Sequence, residues 1–138
     1  MKVVCFSLSS LVDGGRIRRM LESILCTTPD TALEIDHRFL NLNGGRAESW
    51  LEVSQKLANW GYDPNNLGRN HPIVAIEQSA PFALELACRP DFQDCLLLLY
   101  HYNGTSFTVH GFHDRRVMTY MQDGEPTNMM LPPLPVCA

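Results

Sequence analysis

Two segments of the chain align without gaps at a thirty-residue offset, and this internal repeat constrains the fold more than any other feature. Asp13-Gly14-Gly15-Arg16-Ile17-Arg18-Arg19-Met20-Leu21-Glu22 matches Asn43-Gly44-Gly45-Arg46-Ala47-Glu48-Ser49-Trp50-Leu51-Glu52 in both glycines, the arginine, the leucine and the glutamate. A strand-like stretch precedes each copy. Residues 2–10 are rich in the β-branched and aromatic types that favour strands. Residues 33–41 alternate Leu33, Ile35, His37 and Phe39 with Glu34, Asp36 and Arg38, the period of a half-buried strand. A helical pattern follows each copy. Ile17, Met20, Leu21, Ile24 and Leu25 form one apolar stripe over 16–26, and Pro29 sets the limit of that helix. Trp50, Val53, Leu57 and Trp60 share a face over 46–60, with Gly61 placed as a left-handed cap. A third apolar strand at 73–76 completes a βαβαβ string, which favours parallel strands joined by crossover helices.

The second half has a different grain. A turn-rich linker spans 61–72, and residues 82–88 read as a further strand after Pro81. Segments 95–102 and 106–112 flank Asn103-Gly104, the dipeptide best suited to a tight hairpin turn, and a last strand covers 117–121. The expected fold is therefore α/β (or α+β): a mixed sheet with a βαβαβ N-terminal part, two helices and a C-terminal antiparallel hairpin. With 138 residues, one domain is the expectation. It covers 1–122, leaving 123–138 as an irregular proline-rich tail packed on it or extending from it.

Composition narrows the function classes. The net charge is −4, from eleven Lys plus Arg against fifteen Asp plus Glu. Gripping a nucleic-acid backbone requires a basic excess to neutralise phosphates, so nucleic acid is disfavoured as a partner. Cys5, Cys26, Cys88, Cys95 and Cys137 are odd in number and contain no C-x-x-C pair, so no zinc site is expected and reduced, largely buried thiols are. No run approaches the roughly 20 apolar residues of a membrane span, and the N-terminus makes a poor signal peptide. Together these features predict a cytoplasmic protein that does not engage a membrane.

Four groups of residues could carry chemistry. Gly14, Gly15 and Arg16, with Gly44, Gly45 and Arg46, start two helices. Helix N-termini and a neighbouring arginine are suited to phosphate or carboxylate. The same sequences are also ordinary turns, with Asp13 and Asn43 as caps. Among the histidines, an Asn103-Gly104 turn would pair His101 with Ser106 and leave His110 on the same face about 13 Å away, too far to share a metal ion. That register would set Cys95 diagonal to His110, although a buried thiol is usually inert. His113, Arg115 and Arg116 form a charged cluster after the hairpin. Residues 131–135, Leu-Pro-Pro-Leu-Pro, suit polyproline II.

No serine-hydrolase, zinc-protease or phosphate-loop motif is present. The leading expectation is a small non-catalytic protein-binding factor of the inhibitor, immunity, anti-defence or adaptor type, with no cofactor and no metal. Trp60, Tyr62, Arg69, His113, Arg115, Arg116 and Tyr120 are the residue types that anchor interfaces, and the acidic balance would steer the chain to a basic partner. The alternative is a phosphate- or nucleotide-binding domain or enzyme built on the two Gly-Gly-Arg helix starts. A third possibility is a homodimer that extends its sheet through an edge strand.

Overall fold

The computed structural model describes residues 2–8, 14–25, 33–40, 50–77, 83–102, 107–113, 116–122, 125–126 and 130–131, with backbone alone for 83–84 and from 116 onward. The elements run β1 (Lys2–Ser7), α1 (Gly14–Leu25), β2 (Glu34–Phe39), α2 (Trp50–Asn59), α3 (Leu67–Asn70), β3 (Ile73–Glu77) and α4 (Ala83–Ala87). A 3-10 turn at Pro90–Phe92 leads to β4 (Leu96–Tyr102), β5 (Phe107–His113), β6 (Arg116–Gln122), β7 (Glu125–Pro126) and β8 (Met130–Leu131). They form one mixed sheet in the order β2-β1-β3-β4-β5-β6-β7, with β8 also on β6. β1 pairs in parallel with β2 and β3, and β3 with β4; the later pairings are antiparallel. The α/β class, the parallel βαβαβ start and the antiparallel β4–β5 hairpin are those the repeat and the turn signals imply.

Side chains alternate across the sheet, so each strand feeds two cores. Val4, Phe6, Val74, Ile76, Leu97 and Leu99 face α2, whose Val53 and Leu57 are buried among them. Val3, Cys5, Ala75, Leu98, Tyr100 and Val109 face α1, which contributes Ile17, Met20 and Leu21. The central strands are buried on both faces, which is why β3 and β4 read as continuous apolar runs rather than alternating ones. By contrast β2, at the sheet edge, alternates exposed with half-buried residues.

The C-terminus of α2 is closed by two hydrogen bonds of the Schellman type: Tyr62 N–H to Leu57 C=O at 2.9 Å and Gly61 N–H to Ala58 C=O at 3.1 Å. Gly61 has φ of 91°, which a residue with a Cβ adopts only under strain. The geometry throws Tyr62 back against the core, where its ring meets Phe6 edge-on at 5.7 Å.

Several expectations are corrected. Residues 82–88 do not form a strand: Ala83-Leu84-Glu85-Leu86-Ala87 is a short helix, made of strong helix formers and burying Leu86 on the α2 side. The hairpin register is Tyr102↔Phe107 and His101↔Thr108, which leaves 103–106 between the strands instead of a two-residue turn. Phe107 is fixed by ring contacts to Tyr102 at 4.8 Å and Tyr100 at 6.2 Å, and this packing outranks the local turn preference. His110 then lies opposite Leu99, only two residues along from His101 rather than four. Cys95 moves correspondingly out of reach of His110, and burial pushes its thiol up to about 12. Within the proline-rich tail, Glu125–Pro126 and Met130–Leu131 pair with β6. Cys88 is disulfide-bonded, so the five thiols are not uniformly reduced and give no support to a reducing compartment. Among the described residues no helix is long and apolar enough to cross a membrane.

Candidate functional site

The carboxyl ends of the parallel strands are where open α/β sheets usually bind ligands, above all where neighbouring strands send their connections in opposite directions. Here that point lies between β1 and β3. Ser7 ends β1 and is fully buried, and Glu77 ends β3 with 8% exposure. The Glu77 carboxylate accepts the Leu8 N–H at 2.7 Å, bridging the two strand ends. Tyr100 extends from β4 beneath them. Its hydroxyl donates to Phe6 C=O at 3.1 Å, and the Cys5 thiol donates to it at 3.7 Å. Ser7 Oγ is hydrogen-bonded both to the Tyr100 hydroxyl and, at 2.7 Å, to His37 Nε2.

The proton count decides what this network can do. Each hydroxyl has one hydrogen to give. With the Tyr100 hydrogen given to Phe6 C=O, Ser7 donates to Tyr100 and the Nε2–H tautomer of His37 donates to Ser7. In that arrangement His37 carries its proton on the nitrogen that faces Ser7, the reverse of the base in an activated Ser–His nucleophile. Burial pushes the Cys5 thiol up to about 12 and Tyr100 well above its ordinary range, so both stay neutral. The cluster is internally satisfied and serves as a polar brace through the sheet. Sequence reading missed it. The available signal was a serine and a glutamate closing otherwise apolar strands, and a tyrosine following the leucine run of β4.

The Gly-Gly-Arg starts are placed as follows. Gly14 and Gly15 are exposed at the beginning of α1, and a Cβ on Gly14 would meet nothing within 4 Å. The Arg16 guanidinium lies over the Tyr102 ring at 5.2 Å. Gly44, Gly45 and Arg46 lie outside the described residues, as do Asp13 and Asn43. Because α1 and α2 pack on opposite faces, the two helices leave the carboxyl edge on different sides.

At the opposite end of β1 and β2 the chain forms a groove of about 330 Å³. Val3, Val4 and Ile35 contribute its apolar lining, Tyr62 and His71 its rings, and Lys2, Glu34 and Asp36 its charges. The volume lies at the lower end of the range of ligand pockets, roughly 300–1,000 Å³. His71 follows α3 and meets Tyr62 edge-on at 5.4 Å; burial lowers its pKa, leaving it neutral at pH 7. Lys2 stands 4.0 Å from Glu34, and Asp36 pairs with Arg38 at 3.1 Å. The Tyr62 hydroxyl is buried and has no hydrogen-bond partner among the described residues.

Of the interface candidates, Trp60 and Tyr62 are half-buried against the α2-side core, Trp60 stacking on Phe6 at 6.4 Å beneath the Arg38 guanidinium at 5.6 Å. Arg69 is exposed and donates to Asn66 at 3.0 Å. His113 is exposed at the end of β5, opposite Arg116 of β6. The side chains of Arg116 and Tyr120 and the whole of Arg115 lie outside the described residues. Among the described candidates Tyr62 alone joins the groove, and nothing in the sequence signals that Lys2, Glu34, Asp36 and His71 join it. No group of three or more His, Cys, Asp or Glu among the described residues is arranged to hold a metal ion. In comparison with known proteins, no family model matches the chain, and neither a curated protein nor a solved structure matches it.

Proposed function

We propose that this chain is a non-catalytic protein-binding factor that engages its partner along the β2 edge of the sheet and the groove beside it. The carrying observation is the groove beside the edge strand and its lining residue Tyr62, whose buried hydroxyl has no partner among the described residues. A buried hydroxyl left unpaired costs about 1–3 kcal/mol, and an incoming group that donates to its oxygen offsets part of that cost on binding. Apolar lining, two rings and a charged rim match the anatomy of a pocket that receives a partner's anchor residue. Two carboxylates against one lysine in the lining, and a net charge of −4, favour a basic, hydrogen-bonding anchor such as arginine.

The alternative, an anion at the Gly-Gly-Arg starts, draws less support. Arg16 is engaged over Tyr102, and the Leu8 N–H at the end of β1 is taken by a carboxylate. Both readings meet in one experiment, an amide-resolved NMR titration with N-acetyl-arginine amide and, separately, inorganic phosphate. The arginine compound should move the resonances of Tyr62, His71 and Ile35 and lose that effect in Tyr62→Phe. Shifts confined to residues 14–16 with phosphate, and none with the arginine compound, would replace the protein-binding reading by the anion-binding one. Without ligand, Tyr62→Phe should raise the stability of the fold by about 1 kcal/mol or more, because it deletes an unsatisfied buried donor.

A further inference from the structure

We infer that one partner of the β2 edge is a second copy of this chain, the two strands pairing antiparallel across a two-fold axis at His37. The inference rests on the protein-binding reading of that edge. Among the described residues β2 pairs with β1 alone, so its other side presents backbone donors and acceptors without a ladder. Edge strands are commonly guarded by charge, and an edge whose charges repelled themselves would stay alone. The β2 sequence Glu34-Ile35-Asp36-His37-Arg38-Phe39 does the reverse.

Pairing about His37 sets Asp36 of each copy opposite Arg38 of the other, twice, and Ile35 opposite Phe39, twice. Each kind of pair falls on one face of the sheet, because residues two apart on a strand point the same way. The charged pairs lie on the α2 side, where Arg38 covers Trp60. The apolar pairs lie on the α1 side, where Ile35 packs on the core while Ile35 and Phe39 each remain partly exposed. Centring one residue earlier keeps two Glu34–Arg38 pairs but opposes Asp36 to Asp36, and centring one later opposes Arg38 to Arg38, so charge favours the register about His37. The two Asp36–Arg38 pairs, one within each copy at 3.1 Å on exposed side chains, exchange for two pairs between copies. His37 meets its counterpart on the axis with its ring held to Ser7.

Sedimentation equilibrium over a wide concentration range tests this. The wild type should pass from the 15.6 kDa chain to twice that mass as concentration rises. Asp36→Arg alone and Arg38→Asp alone should each weaken association at least tenfold, since each creates two like-charge pairs. An equimolar mixture of the two variants should recover the dimer, as should the double swap Asp36→Arg/Arg38→Asp. Recovery requires both variants to be folded, so misfolding cannot imitate it. A wild type that keeps one chain's mass at millimolar concentration overturns the dimer. So does a dimer that both single reversals leave unchanged, which would place association elsewhere. If the arginine titration still reports on Tyr62 in either case, the binding reading stands without the dimer.

Discussion

Gly68 and Asp91 show how closely one residue is held by its surroundings. A Cβ on Gly68 would stand 2.4 Å from the Asp91 carbonyl oxygen and 2.9 Å from the Phe92 Cα, both backbone atoms that cannot swing away. The Gly68 N–H also donates to the Asp91 carboxylate at 3.2 Å, and that carboxylate, 4% exposed, takes a second hydrogen bond from Arg89 at 2.9 Å. Arg89 continues to Pro64 C=O at 2.9 Å and lies over the Trp50 ring at 5.3 Å. A chain of contacts thus ties α3, the 3-10 turn and the start of α2 together. Gly68→Ala should cost about 1–3 kcal/mol through overpacking, read as a lower denaturation midpoint with an unchanged slope. A neutral result would mean that α3 and the 3-10 turn separate more easily than their contact distance implies.

At the scale of the element, α2 offers an internal control. Leu57 is fully buried under β1, β3 and β4, whereas Leu51 on the same helix is 68% exposed. Leu57→Ala should destabilise the fold by about 2–5 kcal/mol by leaving a cavity, and Leu51→Ala should change it by no more than about 0.5 kcal/mol. Equal effects at the two positions would show that the helix is rotated on the sheet. That the apolar stripe of α2 was legible in the sequence follows from its period and its glycine cap, both local signals. The β4–β5 register was not legible, because Asn103-Gly104 states a local preference while Phe107 answers to Tyr100 and Tyr102 across the sheet. The helix at α4 was missed for a related reason: five residues are too few to show a helical period.

Over the whole molecule, burial of neutral groups sets the pH range of stability. Desolvation lowers the pKa of His37, His71 and His110 below 6.5. As pH falls through about 6.5 the unfolded chain takes up protons before the folded one, so stability declines on the acid side. Cys5 and Cys95 are pushed from 9.0 up to about 12. Above pH 9 the unfolded thiols ionise while the folded ones remain protonated, so stability declines again on the alkaline side. Thermal melts across pH 5 to 10 should give a plateau bounded near those two values. A melting temperature still rising above pH 9 would contradict the burial of the two thiols.

The sequence by itself determined the parallel βαβαβ start, the two amphipathic helices and the existence of the hairpin, because each rests on periodicity and turn chemistry within a few residues. It also supplied Tyr62, as a residue type suited to an interface. Only the tertiary structure decided that Gly61 turns Tyr62 under the sheet beside His71, and that Lys2, Glu34 and Asp36 line the same groove. It alone placed β2 at the edge of the sheet, and it alone joined Ser7, His37 and Tyr100 into a satisfied network. The physical reason is the same in each case. Strand order brings together residues 95 positions apart, as in Cys5 and Tyr100, and no local pattern in a chain encodes which strand will lie beside which.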